Sequence, residues 1–274
     1  MNKPNLFIVG SPKCGTTFFC EKLKEHPDLF FPKIKELNYF SYNELNNESY
    51  YRDYKVNSLE KYLEFYKNVK NEKYIIDASV SYFTFENIPS KIKTFNPESK
   101  IIILVRNPYK RSYSHYIMDK RMGYANKSLQ EYLYDKKSFH YRQYIINSKY
   151  FEQVKKYQKH FKSENILILE LEKFKSKFKD VFKFLEIKPI HIDFDSKINE
   201  NKIPANNIGR FVQKNRGFIE RLKLTIPKEV IEILKKFIYN KAPKAKIPQK
   251  DLNLLKTNLS SDYKKFETLI NNES

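Results

Sequence analysis

Gly10-Ser-Pro-Lys-Cys-Gly-Thr-Thr17 holds two of only five glycines in 274 residues, between the apolar run Leu6-Phe-Ile-Val9 and a helix-like segment. Glycine permits a tight turn and a close approach of backbone N–H groups to a ligand. A strand that turns through such a loop into a helix N-terminus makes an anion site, normally for phosphate. The N–H groups in question are those of Lys13, Cys14, Gly15, Thr16 and Thr17. In the ATP-binding pattern G-x-x-x-x-G-K-[ST] a lysine directly follows the second glycine. Here that position is Thr16, and the lysine lies inside the loop as Lys13. The residues describe a phosphate loop that departs from the ATP pattern.

The elements that must hold this loop alternate short β-rich apolar runs with longer helix-period segments. That pattern predicts an α/β fold, P-loop-like and three-layered, with a central parallel sheet flanked by helices. Strands are expected at Leu6–Val9, Tyr74–Asp77, Ile101–Val105 and Ile166–Leu169, each nearly continuous in apolar residues as central strands are. Helices are expected at Thr16–Glu25, Pro89–Thr94, Tyr109–Lys120, Tyr144–His160, Phe174–Leu185, Lys228–Tyr239 and Leu252–Ile270. Asn43–Asn71 reads as an irregular or helical insertion, and Gly123–Phe139 as an excursion beside the sheet. Residues 1–274 are read as one domain.

A hydrophobic content of 41% argues against disorder, and no apolar run approaches the roughly 18 residues needed to span a membrane. The first expected strand starts within a few residues of Met1, which leaves no room for a signal peptide, so the expected location is cytoplasmic. Cys14 and Cys20 match neither a zinc spacing nor a disulfide framework, and Cys14 is read as a small loop residue. The net charge of +20 favours anionic ligands without choosing among them.

Four segments resemble the sulfotransferase family. The loop Ser11-Pro-Lys13-Cys-Gly15-Thr16-Thr17 looks like that family's 5′-phosphosulfate-binding loop. Arg106-Asn-Pro-Tyr-Lys-Arg111-Ser-Tyr-Ser114-His-Tyr116, after the third strand, is similar to its 3′-phosphate motif. Lys35-Glu36-Leu-Asn-Tyr39-Phe40 resembles a Lys-Glu-Pro-x-x-Phe segment of the carbohydrate (heparan-sulfate-type) and bacterial branch. The run from Tyr150-Phe-Glu-Gln-Val through Phe161 to Ile166-Leu-Ile-Leu-Glu170 resembles the same branch's helix-then-strand signature. Residues 5–190 carry the likeness.

The resemblance implies the donor 3′-phosphoadenosine 5′-phosphosulfate (PAPS), with 3′-phosphoadenosine 5′-phosphate (PAP) as product and no metal. A donor with two anionic ends needs two anion sites. Lys13 and the loop N–H groups suit the 5′ end, with the Thr16 and Thr17 hydroxyls as further donors. Arg106 offers a planar fork to the 3′-phosphate and Ser114 a hydroxyl from the following helix. Glu36 stands where the carbohydrate branch holds its catalytic glutamate, which takes the acceptor's proton. The implied acceptor is a hydroxyl of a carbohydrate or glycolipid, transferred to in line.

One departure concerns the end of the second strand. The heparan-sulfate branch has Glu-Lys-Thr-Pro-x-Tyr there, and this chain has Asp77-Ala-Ser-Val-Ser-Tyr82, with Ala78 replacing the lysine. The histidines lack the cytosolic branch's catalytic context, and His115 is read as structural. The basic segment 209–246 fits a core-facing helix with a solvated basic face, and contact with an acidic glycan or a membrane surface stays open as its alternative. Two rival functions also stand: a P-loop small-molecule kinase with Asp77 as its magnesium acid, and a non-enzymatic polyanion-binding protein. No nucleic-acid motif appears, and no nucleic-acid partner is expected.

Overall fold

Alternation within the apolar runs sets the layers. In β1 (Leu6–Gly10), Leu6 and Ile8 pack into one apolar cluster, while Phe7 and Val9 pack into another on the opposite face of the sheet. The pattern repeats in β4 (Lys100–Val105), where Ile102 and Leu104 oppose Ile101, Ile103 and Val105. With β2 (Leu29–Phe30), β3 (Tyr74–Asp77) and β5 (Ile166–Glu170) they form one parallel sheet in the order β2-β3-β1-β4-β5. This is the expected central sheet with helices on both faces. The computed structural model describes residues 2–46, 56–194 and 246–272 in full and the backbone of 202–204 and 239–241.

The helices are α1 (Thr16–Leu23), α2 (Tyr42–Asn46), α3 (Leu59–Glu64), α4 (Ile88–Phe95), α5 (Pro108–Met122), α6 (Leu129–Tyr134), α7 (Phe139–Tyr144), α8 (Tyr150–Gln158), α9 (Phe174–Leu185) and α10 (Gln249–Asn272). On one face, α1 and α9 interlock through Phe19, which meets Phe174 and Phe178 edge-on at 5.4 and 5.7 Å. On the other, α3, α4 and α8 contribute Tyr62, Ile88, Ile92, Tyr150, Val154 and Tyr157, and α10 closes the layer with Phe266. A third cluster joins α5, α6, α7 and α10 through Tyr116, Leu133, Tyr144 and Leu259. Asp262 of α10 accepts from the first-turn N–H groups of Phe151 and Glu152, each at 3.2 Å, capping α8 across a gap of 110 residues or more.

One expectation changes, and one strand is added. The helix expected over Tyr144–His160 is broken: α7 ends at Tyr144, a 3₁₀ turn covers Ile146–Ser148, and α8 starts at Tyr150. Arg111 is the reason, because its Nη1 takes the Gln143 carbonyl at 2.6 Å and the Tyr144 carbonyl at 3.4 Å, acceptors that a continuous helix would use itself. Strand β2 has two residues, too few for any periodic signal. The Asn43–Asn71 excursion is helical at α2 and α3, with 47–55 outside the described residues. Most of the basic segment 209–246, including nearly all of the expected helix Lys228–Tyr239, also lies outside them.

Candidate active site

Parallel sheets of this kind open their ligand crevice at the C-terminal ends of the strands. Here β1, β3 and β4 deliver three loops to one cavity of about 570 Å³. Its lining includes Lys13, Gly15, Thr16 and Thr17 from the loop after β1, Arg106 and Ser114 from the end of β4 and α5, and Glu36 from the loop before α2. Residues as far apart in the chain as Pro12 and Leu171 therefore line one cavity.

The phosphate loop is shaped by its two glycines. Gly10 has φ +142°, and a Cβ there would meet Cβ of the buried Phe83 at 2.7 Å. Gly15, at φ +79°, caps α1 without a side-chain hydrogen bond, so the first-turn N–H groups are left for a ligand. Lys13 holds φ 69° and rests its ammonium on Met118 Sδ at 3.3 Å. Burial, then the Arg121, Arg111 and Arg106 guanidinium groups, bring that ammonium down to about 8. A cation so destabilised by its surroundings is the counterpart of an anion.

Two arginines support the loop from α5's side. Arg106 Nη1 donates to the Lys13 carbonyl at 3.3 Å, and its buried Nε has no hydrogen-bond partner among the described residues. Arg111, wholly buried, donates through Nε to the Pro12 carbonyl at 2.9 Å. Asn107 starts α5 by accepting from Lys110 N–H, and Pro108 takes the first helical position. That start carries Ser114 round to the same cavity as Arg106. An orphaned guanidinium N–H beside this cavity fits an anionic ligand.

Cys14 sits differently from its neighbours. Its side chain is wholly buried, 3.7 Å from Tyr150 Oη, and its N–H donates to Ser11 O at 3.2 Å within the loop. Burial raises its thiol, and it does not line the cavity. Its place in the loop is structural packing, which the glycine-rich pattern alone does not distinguish from ligand contact.

Across the cavity, Glu36 has φ 64° and Asn38 φ 53°. With Lys13 they are three of the four non-glycine residues at positive φ among the described residues, and all three line the cavity. Such backbone persists where surroundings enforce it. Here Glu36 N–H donates to the Ala78 carbonyl at 3.1 Å and Asn38 Nδ2 to the Glu36 carbonyl at 2.6 Å. Asn38 N–H donates to Ser79 Oγ at 3.1 Å, and Ser79 Oγ donates to Asp77 at 2.6 Å. The acid loop is thus tied to the end of β3. The Glu36 side chain, 39% exposed, has Lys35 Nζ at 3.1 Å.

Asp77 serves this scaffold. It is wholly buried, and its oxygens accept from Tyr62 at 2.7 Å, Tyr82 at 2.8 Å and Ser79. Burial raises its carboxyl against the pull of those hydroxyls. It does not face the cavity, which removes the acid on which the kinase alternative relied. His115 lies on the cavity floor, buried, with Nδ1 against the Arg111 guanidinium. Burial and that guanidinium hold its imidazole well below the ordinary histidine range, so it is neutral.

Several supporting residues carried no separate signal in the chain. Arg111 stands unmarked inside the quoted Arg106–Tyr116 motif. Asn147 accepts from Ser11 Oγ through its carbonyl at 3.0 Å and from Thr84 Oγ1 through its side chain, joining the loops after β1 and β3. Nothing in the sequence around Asn147 sets it apart.

The family model described as "Sulfotransferase domain" matches residues 3–244. The chain belongs to the sulfotransferase family. Similar proteins include the membrane-associated sulfotransferase kil1 of Dictyostelium discoideum, 31% identical over 125 residues, which are 46% of this chain and 25% of that protein. Mouse carbohydrate sulfotransferase 15 is 28% identical over 168 residues, covering 47% and 29% respectively. The matches thus span under a third of these relatives' lengths. A sulfotransferase structure from Alicyclobacillus acidocaldarius superposes with a TM-score of 0.63 at 27% identity, over 73% of this chain and 87% of that one.

Proposed function

We propose that this chain transfers a sulfuryl group from PAPS to a hydroxyl of a carbohydrate or glycolipid acceptor. The observation that carries this reading is the convergence of a phosphate loop, a second cationic site and a carboxylate on one cavity. Lys13 and the first-turn N–H groups of α1 would hold the 5′-phosphosulfate, with the Thr16 and Thr17 hydroxyls beside them. Arg106 and Ser114 would hold the 3′-phosphate. The glycan acceptor is supported by the relative named as a carbohydrate sulfotransferase.

When bound, the donor supplies the sulfuryl group and a leaving phosphate. Glu36 accepts the acceptor's proton as the new oxygen–sulfur bond forms. The old sulfur–oxygen bond breaks with its electron pair staying on the phosphate, and Lys13 with the α1 N–H groups offsets that charge. The common cavity brings the partners together, which lowers the entropic barrier.

Calorimetric titration with PAP, ADP and ATP, each with EDTA and with magnesium, tests the donor. Metal-independent preference for PAP is expected. Preference for ATP only with magnesium would return the kinase.

A further inference from the structure

Lys35, beside this cavity, is a cation that the two phosphate subsites leave unused. Its Nζ donates to Thr16 Oγ1 at 3.2 Å and to Glu36 Oε1 at 3.1 Å. One ammonium therefore touches the first helical residue of the phosphate loop and the carboxylate opposite. Its side chain is 21% exposed, so the pair is partly shielded from water.

The position is informative in itself. In an in-line transfer the moving group lies between the leaving phosphate and the group that takes the proton. Lys35 Nζ spans those two ends, from Thr16 to Glu36. While it is paired with Glu36, it occupies one of the two carboxylate oxygens that can take the acceptor's proton and lowers that group's basicity. An ammonium is a compact charge on a flexible four-carbon stem, able to change partner without backbone movement. With the donor's phosphate at the N-terminus of α1, its sulfuryl oxygens arrive beside the lysine and compete with Glu36 for it. The Glu36 backbone is held by its bond to Ala78 and by Asn38, so a change of partner needs only side-chain rotation.

We propose that Lys35 is a donor-gated partner of the base. Without donor it pairs with Glu36; with donor it turns to the oxygens of the sulfuryl group and frees the carboxylate. The acid then becomes available only in the complex that can react, and the group in transit gains a second cation. This inference rests on the sulfotransferase reading above.

Binding separates it from a structural role, because PAP lacks the sulfuryl group that PAPS carries. Both nucleotides are titrated, without acceptor, into the native chain, K35M, E36Q and the double variant. K35M is expected to weaken PAPS about tenfold, the scale of one charge-assisted hydrogen bond, and to leave PAP unchanged. E36Q releases the lysine from its rival, so PAPS binds several-fold tighter, and K35M in the double variant abolishes that gain. Equal weakening of PAPS and PAP in K35M, or no gain in E36Q, would overturn the role of Lys35 while native binding of PAP leaves the donor site standing. A native chain that binds neither nucleotide would overturn the sulfotransferase reading and this proposal with it.

Discussion

Arg111 Nε donates to the carbonyl of Pro12 at 2.9 Å, so a wholly buried guanidinium forms the underside of the phosphate loop. The same side chain also takes Ser148 Oγ at 2.9 Å and the carbonyl of Gln143. One residue thus shapes the loop and ends α7. Arg111→Met leaves several buried carbonyls unpaired and is expected to lower unfolding free energy by about 3 kcal/mol or more. Urea denaturation of the two chains measures this, and a loss under about 1 kcal/mol would contradict the supporting role.

Lys13 makes donor-site binding depend on pH. With its ammonium brought down to about 8, the free site loses charge as pH rises through that value. A bound anion favours the charged form, so binding takes up protons there and affinity falls above it. PAP titrations between pH 7 and 9 in buffers of different ionisation enthalpy measure both. Lys13→Arg, which stays charged, should flatten the profile; an unchanged slope would place the titrating group elsewhere.

Glu36→Gln is expected to reduce turnover by about 10²-fold or more, the usual scale for losing a general base, while PAP binds as it does to the native chain. Steady-state assay with acceptor and titration with PAP read the two halves separately. Near-native turnover would remove Glu36 from its assigned role.

How much of this could be read beforehand depended on the range of the interaction. The strands β1, β3 and β4 were legible because their apolar runs are buried on both faces, and strand Tyr74–Asp77 and helix Phe174–Leu185 have the expected bounds. Lys13, Thr16, Arg106 and Ser114 were legible because strand, loop and helix follow one another within a few residues. The break at Tyr144 was not, since its cause is an arginine more than thirty positions upstream. Asn147 and Asp77 were hidden for the same reason: their partners Ser11, Thr84 and Tyr62 are brought to them by the fold. Lys35 was visible as half of a Lys-Glu pair, but its reach to Thr16 depends on how the two loops face each other.

Gly10→Ala tests the tightest of these approaches. A Cβ there would stand 2.7 Å from Phe83 Cβ, at a backbone angle that alanine rarely adopts. Both atoms sit at the roots of their side chains, so the clash moves backbone. A loss of about 2 kcal/mol or more in stability is expected from denaturant unfolding, together with weaker PAP binding. An alanine variant of native stability would show that the loop accommodates the methyl group.

Neither cysteine should react in the folded chain. Cys14 is wholly buried with its thiol raised by burial, and Cys20 is pushed up to about 12. The thiolate is the reactive form, so labelling with an aromatic disulfide reagent at pH 8 should wait for denaturant. Rapid labelling of the native chain would mean that the loop opens.

Asp77 joins parts of the chain that serve different ends. Tyr62 reaches it from the excursion after β2, Tyr82 from the turn after β3, and Ser79 carries its hold on to Asn38 and the backbone of Glu36. The excursion is therefore fastened to the seat of the proposed base. A change in the excursion that displaced Tyr62 would be felt at the seat of that base, although no atom of the cavity had been altered.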